Sequence, residues 1–489
     1  MEPIENLRKI RLGKLSKIKK AGINPFPAKF DRQNTIAEAL KSQGKEVTIA
    51  GRLVGLRTHG KLTFADLVDQ SGKIQIAFQE NRLSQKEYSF LDNLDIGDFV
   101  GVTGEVGQTQ AGETTIFAKN YVLLAKSLRP LPSTWYGFKD VETRYRKRYL
   151  DLLLNEDVKK LAVLRSKIVS SIRKFLDSRG FCEVETPILQ PIYGGAAAFP
   201  FKTNYRVLKN DFYLRISDEL YLKRLIIGGF EKVYEIGKDF RNEGMDRTHN
   251  PEFTMLELYQ AYADYQDIMV LVEELFKNVT KDVLGTTKIK FGDQTFDFSK
   301  PWQRISMKDG LKKFAKIEVD KLSDNQLKEE IKKHNLVYEG QPSLTGVAAG
   351  FSRGVAIATL FEIVEPQLIQ PTFVADFPKE TTALCKLHRQ DPTLIERFEP
   401  YIAGMEIGNA YSELNDPLVQ KEFFQAQQKA KKSGDEEAHP MDEDFLEAQE
   451  YGMPPTGGLG LGVDRIVMVL SGTKSIREVI LFPTLRLEK

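Results

Sequence analysis

Side chains suited to handling a nucleotide crowd into one stretch of the chain, Phe240-Arg241-Asn242-Glu243-Gly244-Met245-Asp246-Arg247-Thr248-His249-Asn250-Pro251-Glu252-Phe253. A guanidinium beside a flat aromatic ring can take a phosphate while the ring takes a base. The same residues also describe a surface hairpin laced with ion pairs. A second dense group is Glu399, Glu406, Asn409, Tyr411 and Glu413. Carboxylates suit magnesium, a hard cation that keeps waters and substrate phosphates in its shell. Their plainer reading is strand glutamates paired with surface lysines. A third group is Gly457-Gly458-Leu459-Gly460-Leu461-Gly462-Val463-Asp464-Arg465. Its glycines permit close packing of strand, nucleotide and helix, and Arg465 falls in a helix's first turn, where dipole and guanidinium both favour phosphate. The stretch lacks the Gly-x-Gly-x-x-Gly spacing, and the chain has no Gly-Lys-Ser or Gly-Lys-Thr, so dinucleotide and P-loop readings fail.

These groups need strands to hold them. Residues 232–241 and 253–260 alternate on a period of two, so two strands flank the Arg241 loop. Phe253, Met255, Glu257 and Tyr259 then share one face, with Thr254, Leu256, Leu258 and Gln260 on the other. The loop between carries the turn formers Asn242, Gly244, Asp246 and Asn250-Pro251. On a straight strand Asn409, Tyr411 and Glu413 share a face and Glu406 points away. Joint use of all four requires a bulge near Gly408 or a curved strand. Upstream, Leu161, Leu164, Ile168, Ile172 and Phe175 form a stripe predicting a helix from Asn155 to Arg179, ended by Gly180. A strand over 181–187 follows, then the small-residue turn 194–201.

The N-terminal part has another texture. Residues 2–22 read as a basic helix, with seven cationic side chains against Glu2 and Glu5. Such a helix can lie on phosphates, or it can be a solvated helix packed by Leu7, Leu15 and Ile18. From Glu46 to Leu124, five short alternating segments (47–54, 62–67, 73–78, 99–104, 114–118) separated by glycine turns suit a small Greek-key barrel of the oligonucleotide-binding type. Phe64, taken alone, belongs in such a barrel's core. The expected organisation is a basic helical extension (1–30), a barrel (31–125), a linker (126–150) and a large α+β domain (151–489). Within the last, a lysine-rich helical insertion is expected around 267–345.

At 489 residues the chain exceeds one ordinary domain. Its 28% charged and 41% hydrophobic residues are those of a soluble globular protein. No apolar run approaches a membrane span and the N-terminus is polar, so neither anchor nor export signal is expected, and the cytoplasm is. A net charge of only +2 means that any affinity for nucleic acid must come from local patches. Cys182 and Cys385 are the only cysteines, and the histidines form no His-Glu-x-x-His site, so neither a disulfide scaffold nor structural zinc is expected.

The wording Phe-Arg-Asn-Glu-Gly, His-Asn-Pro-Glu-Phe-Thr, Glu-Leu-Tyr, read from Phe240 to Tyr259, resembles motif 2 of the class II aminoacyl-tRNA synthetases, and among them of the lysyl-tRNA synthetases of bacteria. The helix, strand and proline of 155–187 resemble motif 1, which forms the dimer interface in that class, and 457–465 resembles motif 3. Gly60-Lys61-x-x-Phe64 followed by Gly72-x-Ile74-Gln75 resembles the anticodon-binding barrel. The resemblance covers nearly the whole chain in the expected order. It implies an antiparallel catalytic sheet with flanking helices behind an N-terminal OB-fold barrel. The implied activity is lysine–tRNA ligation, by way of a lysyl-adenylate, in a homodimer with no membrane association.

The same resemblance assigns roles. Arg241 and Arg465 are the implied catalytic cations, and Arg241, Glu243, His249, Phe253, Glu399 and Arg465 the ATP contacts. Glu399 and Glu406 hold magnesium. Gly195 and Glu219 take the lysine amino group, and Glu257, Tyr259, Asn409, Tyr411 and Glu413 complete the lysine pocket. Phe64 stacks on an anticodon base while Arg57, Gln75 and Glu113 read base edges. Three places depart from the family pattern: Phe199 stands at a usually basic position, Asn204-Tyr205-Arg206 replaces two ring residues and an asparagine, and Ser217-Asp218 replaces Ala-Pro. Two rival readings remain. One is a relative of other specificity, of aspartyl or asparaginyl type or acting on a protein; the other is a non-catalytic RNA-binding protein on this scaffold.

Overall fold

The computed structural model describes residues 3–132, 140–338, 351–432 and 440–486. The chain divides into two units, Met1–Lys139 and Asp140–Lys489.

In the first unit, β1 (Glu46–His59), β2 (Leu62–Val68), β3 (Lys73–Gln79), β4 (Phe99–Gln108) and β5 (Thr114–Ala125) close into a barrel ordered β1-β2-β3-β5-β4. Alternation fills it with Ile49, Leu53, Leu67, Ile76, Val102 and Ile116. The strands outrun their sequence signals. β5 continues past Ala118 because a register shift opposite Thr103/Gly104 lets it bend around the barrel. The N-terminal helix, Pro3–Lys20, lays Ile18 into the barrel core, whereas Leu7, expected to pack, is exposed. Arg11 seats the helix instead. It is buried and donates to the carbonyls of Ile96 (2.9 Å), Arg129 (3.0 Å) and Ser127 (3.2 Å), oxygens left without ladder partners by the loops that carry them.

In the second unit the strands are β6 (Cys182–Glu183), β7 (Leu189–Gln190), β8 (Lys202–Tyr205), β9 (Asn210–Leu214), β10 (Lys232–Phe240), β11 (Glu252–Ala261), β12 (Lys288–Phe291), β13 (Gln294–Asp297), β14 (Gln303–Ser306), β15 (Thr372–Pro378), β16 (Leu394–Ile402), β17 (Met405–Glu406), β18 (Gly408–Ser412) and β19 (Thr456–Gly462). The main sheet runs β14-β15-β16-β18-β19-β11-β10-β6, with β17 paired to β16. Its interior is antiparallel, and its two edge pairs, β14 with β15 and β6 with β10, are parallel. Leu256, Leu258, Phe398, Ala410, Leu459 and Leu461 belong to one core with the helices Glu156–Asp177, Tyr265–Leu284 and Val463–Ser471. The alternate residues face a cleft.

Three boundaries differ from expectation. The end of the expected linker is helical: Val141–Arg146 and Arg148–Leu154 are helices, and the buried Arg148 donates to the carbonyls of Leu481 (2.8 Å) and Arg477 (2.9 Å) while pairing with Asp151 at 2.8 Å. The basic run thus fastens the chain's C-terminal segment. The helix Tyr265–Leu284 belongs to the main core and not to an insertion, because Ile268, Val272, Leu275 and Phe276 all pack there. A separate small core, with Met307, Leu311, Leu327, Ile331, Leu360 and Phe361, defines the inserted part between β14 and β15. Residues 133–139 of the expected linker and the end of the expected insertion, from 339, lie outside the described residues. The strand expected over 181–187 pairs only at Cys182 and Glu183, after which the chain leaves β10 on the way to Pro187.

Candidate active site

β10 and β11 pair in register from Lys232↔Gln260 to Phe240↔Glu252, which carries the Arg241–Pro251 loop at one end of the cleft. The Arg241 backbone N–H donates to the Pro251 carbonyl at 2.9 Å, and that of Asn242 to the Phe199 carbonyl at 2.7 Å. The Arg241 guanidinium lies over the Phe253 ring, 5.1 Å from its centroid, and among the described residues its buried Nε has no hydrogen-bond partner. A buried donor without an acceptor calls for an anionic ligand. Arg465, in the first turn of the Val463–Ser471 helix, donates to the Glu406 carbonyl at 2.7 Å and approaches His249 Nε2 at 3.1 Å. Asp464 ties that helix to β11 by accepting the Thr254 N–H at 2.8 Å and pairs with Arg165 at 2.5 Å. Glu243 and His249 are exposed at the rim.

Glu406 reaches the cleft through a bulge. Pairing of β16 runs Tyr401↔Glu406 on β17 but Phe398↔Ala410 on β18, a register shift of one residue. This is the device that use of Glu406 beside Asn409, Tyr411 and Glu413 demands. Glu399 accepts from Arg397 (2.5 Å) and from the Tyr401 hydroxyl (2.8 Å). Burial pushes its carboxyl up to about 7, with Arg397 opposing and Glu406 adding to the rise. Two oxygen-donor groups that repel one another across a cleft are a fitting seat for a hard cation.

The inner end of the cleft is lined with acid. Glu257 accepts from Ser217 Oγ at 2.9 Å and from the Tyr259 hydroxyl at 3.1 Å. Burial, then Asp239 and Glu219, push its carboxyl up to about 8. The fully buried Lys223 reaches across from the helix Glu219–Ile227 to contact both Glu219 and Glu413, the latter at 2.5 Å. Burial opposes its charge, but the two carboxylates more than offset this and hold the ammonium above the usual lysine range. Among the described residues neither oxygen of Glu413 has a well-aligned donor. Asn409 and the Tyr411 hydroxyl bond to each other, and Asn409 Oδ1 accepts from Arg397 at 2.9 Å. Two glycines are required by space. At Gly458 a Cβ would stand 1.9 Å from Glu413 Oε1, and at Gly195, with φ +91°, 2.8 Å from Ser217 Oγ.

The structure therefore brings Gly195, Glu219, Arg241, Glu243, His249, Phe253, Glu257, Tyr259, Glu399, Glu406, Asn409, Tyr411, Glu413 and Arg465 to one cleft. It adds Arg397 and Ser217 to the lining and Lys223 behind it, none of which received a role from sequence. For Lys223 a signal existed, since Glu219 and Lys223 stand four apart on a helix, the spacing of an ion pair.

On the barrel, Arg57, Phe64 and Gln75 fall on one outward face through the pairs Arg57↔Phe64 and Asp66↔Gln75. Phe64 is half-buried and stands outside the barrel core, contrary to its expectation taken alone. Gln75 donates to Glu113 (2.9 Å) and accepts from Thr115 (2.9 Å), and Arg57 pairs with Asp66 at 3.0 Å.

Residues 140–486 match the family described as tRNA synthetases class II (D, K and N), and residues 47–124 match the OB-fold nucleic acid binding domain. The chain is 50% identical over 490 residues to the lysine–tRNA ligase of Carboxydothermus hydrogenoformans, with 99% of each chain covered. It is 48% identical over 493 residues to that of Moorella thermoacetica, again with 99% of each covered, and 47% identical over 491 residues to that of Clostridium botulinum, covering 99% of this chain and 96% of the relative.

Proposed function

Because the chain belongs to the class II tRNA synthetases of the aspartate, lysine and asparagine group, we infer that it is a lysine–tRNA ligase, activating L-lysine with ATP and passing it to the 3′ end of tRNA(Lys). The observation that carries the choice of amino acid is the inner end of the cleft. Glu257 and Glu413 face it, while the nearby cations are already engaged, Lys223 by Glu219 and Glu413 and Arg397 by Glu399. An aspartate or asparagine pocket needs a free donor where these carboxylates stand. A neutral or shorter amino acid would leave Glu257 buried without a cationic partner, which is strong rejection.

The roles follow from position. Gly195 and Glu219 take the α-amino group, and Glu257 and Glu413, with Tyr259, Asn409 and Tyr411, the ε-ammonium. Phe253 stacks on adenine, with Glu243 and His249 at its rim. Lysine's carboxylate attacks the α-phosphorus of ATP in line, forming lysyl-adenylate as pyrophosphate leaves. Arg241 stabilises the charge that develops on the α-phosphoryl oxygens, and Arg465 holds the γ-phosphate end. The terminal 3′-hydroxyl of tRNA then attacks the lysyl carbonyl and AMP departs. Glu399 and Glu406 would hold magnesium, which when bound neutralises triphosphate charge.

Phe64, Arg57, Gln75 and Glu113 are the proposed anticodon contacts, their shared outward face supporting the reading. A homodimer through the motif 1 segment is supported by the exposed apolar side chains Val163, Ile188, Leu189 and Ile192. No helix among the described residues is long and apolar enough to cross a membrane, and tRNA as a substrate supports the cytoplasm as the place of action. Amino-acid-dependent ATP–pyrophosphate exchange, run with each amino acid singly, tests the assignment. Lysine supports exchange; exchange with aspartate and none with lysine would overturn it.

A further inference from the structure

Behind Glu257 lie two acids to which the chemistry above gives no part, Asp218 and Asp239, 1% and 0% exposed. One oxygen from each, together with one from Glu257, lie within 4.8 Å of one another. Asp218 precedes the helix Glu219–Ile227, where an aspartate ordinarily caps a backbone N–H. Here Ser217 Oγ takes the Glu219 N–H at 3.1 Å, and Asp218 makes no cap. Among the described residues its Oδ1 has no hydrogen-bond partner, and neither oxygen of Asp239 has one.

Arg241 also draws on Asp239, but the cation packed against the group among the described residues is Arg215. Its Nη1 stands 2.5 Å from Glu235 and 4.0 Å from Asp218. Its Nε is 3.0 Å from Asp239, yet that N–H donates to the Lys238 carbonyl at 2.9 Å. Arg215 thus meets three carboxylates, Glu235 and Asp239 of β10 and Asp218 at the helix start, and Glu257 of β11, itself beside Glu219, adds to the negative charge; Arg215 and Arg241 are the cations set against them. Buried negative charge in such excess is relieved by keeping protons. Burial, then Glu257 and Asp239, raises the Asp218 carboxyl well above its usual range, and burial raises Asp239 to about 6 against the pull of Arg215. The protons belong to Asp218, Asp239 and Glu257 as a group.

We propose that Asp218, supported by Asp239, makes recognition of the amino-acid side chain an exchange of ammonium for proton. The three acids hold a proton while the pocket is free, and an ε-ammonium docking on Glu257 sends it to solvent. Asp218 is in this sense a specificity residue acting through Glu257: an uncharged side chain of lysine's length cannot drive the exchange. The inference rests on the reading of Glu257 as the seat of the ε-ammonium.

Isothermal titration of the full-length protein with lysine alone, at pH 7 with and without EDTA, in phosphate and in Tris, reads the proton directly. The two buffers should give different heats corresponding to proton release, and the lysine Kd should fall by up to about tenfold per pH unit between pH 6 and 8. Asp218→Asn should release fewer protons and flatten that slope while leaving the KM for ATP unchanged. Asp218→Pro serves as a second variant should the first fail to fold. Equal release in the wild type and in either variant that folds, or none in the wild type, overturns the proposal. So does lysine binding that collapses on adding EDTA, which would mean a metal cation in the proton's place. No lysine binding at all would strike the lysine reading itself, a result distinct from lysine binding without proton release.

Discussion

Lys223 places a permanent ammonium between Glu219 and Glu413 inside a pocket read as taking an ammonium. Removing one partner of a buried ion pair leaves the others uncompensated, at a cost of about 3–5 kcal/mol. Lys223→Met should therefore lower stability to urea by that amount, where an exposed lysine would cost almost nothing. Glu413→Gln keeps the shape and loses the charge. A charge-assisted hydrogen bond contributes about 1.5–3 kcal/mol, so the KM for lysine should rise about tenfold to a hundredfold in the exchange assay with the KM for ATP little changed. Equal loss for both substrates would remove Glu413 from the lysine pocket. Asp218 adds a pH signature. A carboxyl raised in the folded state binds its proton there more tightly than in the unfolded chain, so stability declines as pH rises from the ordinary carboxylate range toward the folded value. Asp218→Asn should thus stabilise the protein more at pH 8 than at pH 5, as thermal melts would show.

At the scale of elements, what was legible was what local periodicity encodes. The alternation along β11 placed Phe253, Met255, Glu257 and Tyr259 in the cleft and Leu256 and Leu258 in the core, as found. The five barrel strands were visible because each carries its own alternation between glycine turns. Arg148 was read as part of a linker because nothing local reveals that its donors meet the carbonyls of Arg477 and Leu481 hundreds of residues away. Arg397 escaped in part for a similar reason: Glu399 stands two residues along its own strand, but Asn409 lies on a strand whose pairing with it is a tertiary fact. The extent of the insertion was misjudged because a charged surface run says where solvent lies and not where a helix docks. Gly458 shows the opposite limit: its role as clearance for Glu413 and Tyr259 appears only once β11, β18 and β19 lie side by side. Gly458→Ala should reduce kcat/KM for lysine in the exchange assay at least tenfold while ATP binding, followed by fluorescence of a nucleotide analogue, persists.

Over the whole molecule, the division into Met1–Lys139 and Asp140–Lys489 separates two proposed tasks. The residues proposed for adenylate chemistry all lie in the second unit, and the proposed anticodon contacts all lie in the first. Phe64→Ala should then lower kcat/KM for tRNA in aminoacylation about tenfold, the order expected for one lost base stack, and leave lysine-dependent pyrophosphate exchange intact. A parallel fall in exchange would show that Phe64 acts through folding instead.

The one-residue offset between Glu406 and Ala410 has a genetic consequence. Because side chains alternate along a strand, deleting a single codon there would turn the remainder of β18 over, sending Asn409, Tyr411 and Glu413 into the hydrophobic layer and exposing Ala410 in their stead. In a reading-frame-preserving deletion scan, loss of one residue from this segment should abolish lysine-dependent exchange outright, where Glu413→Gln only raises the KM for lysine.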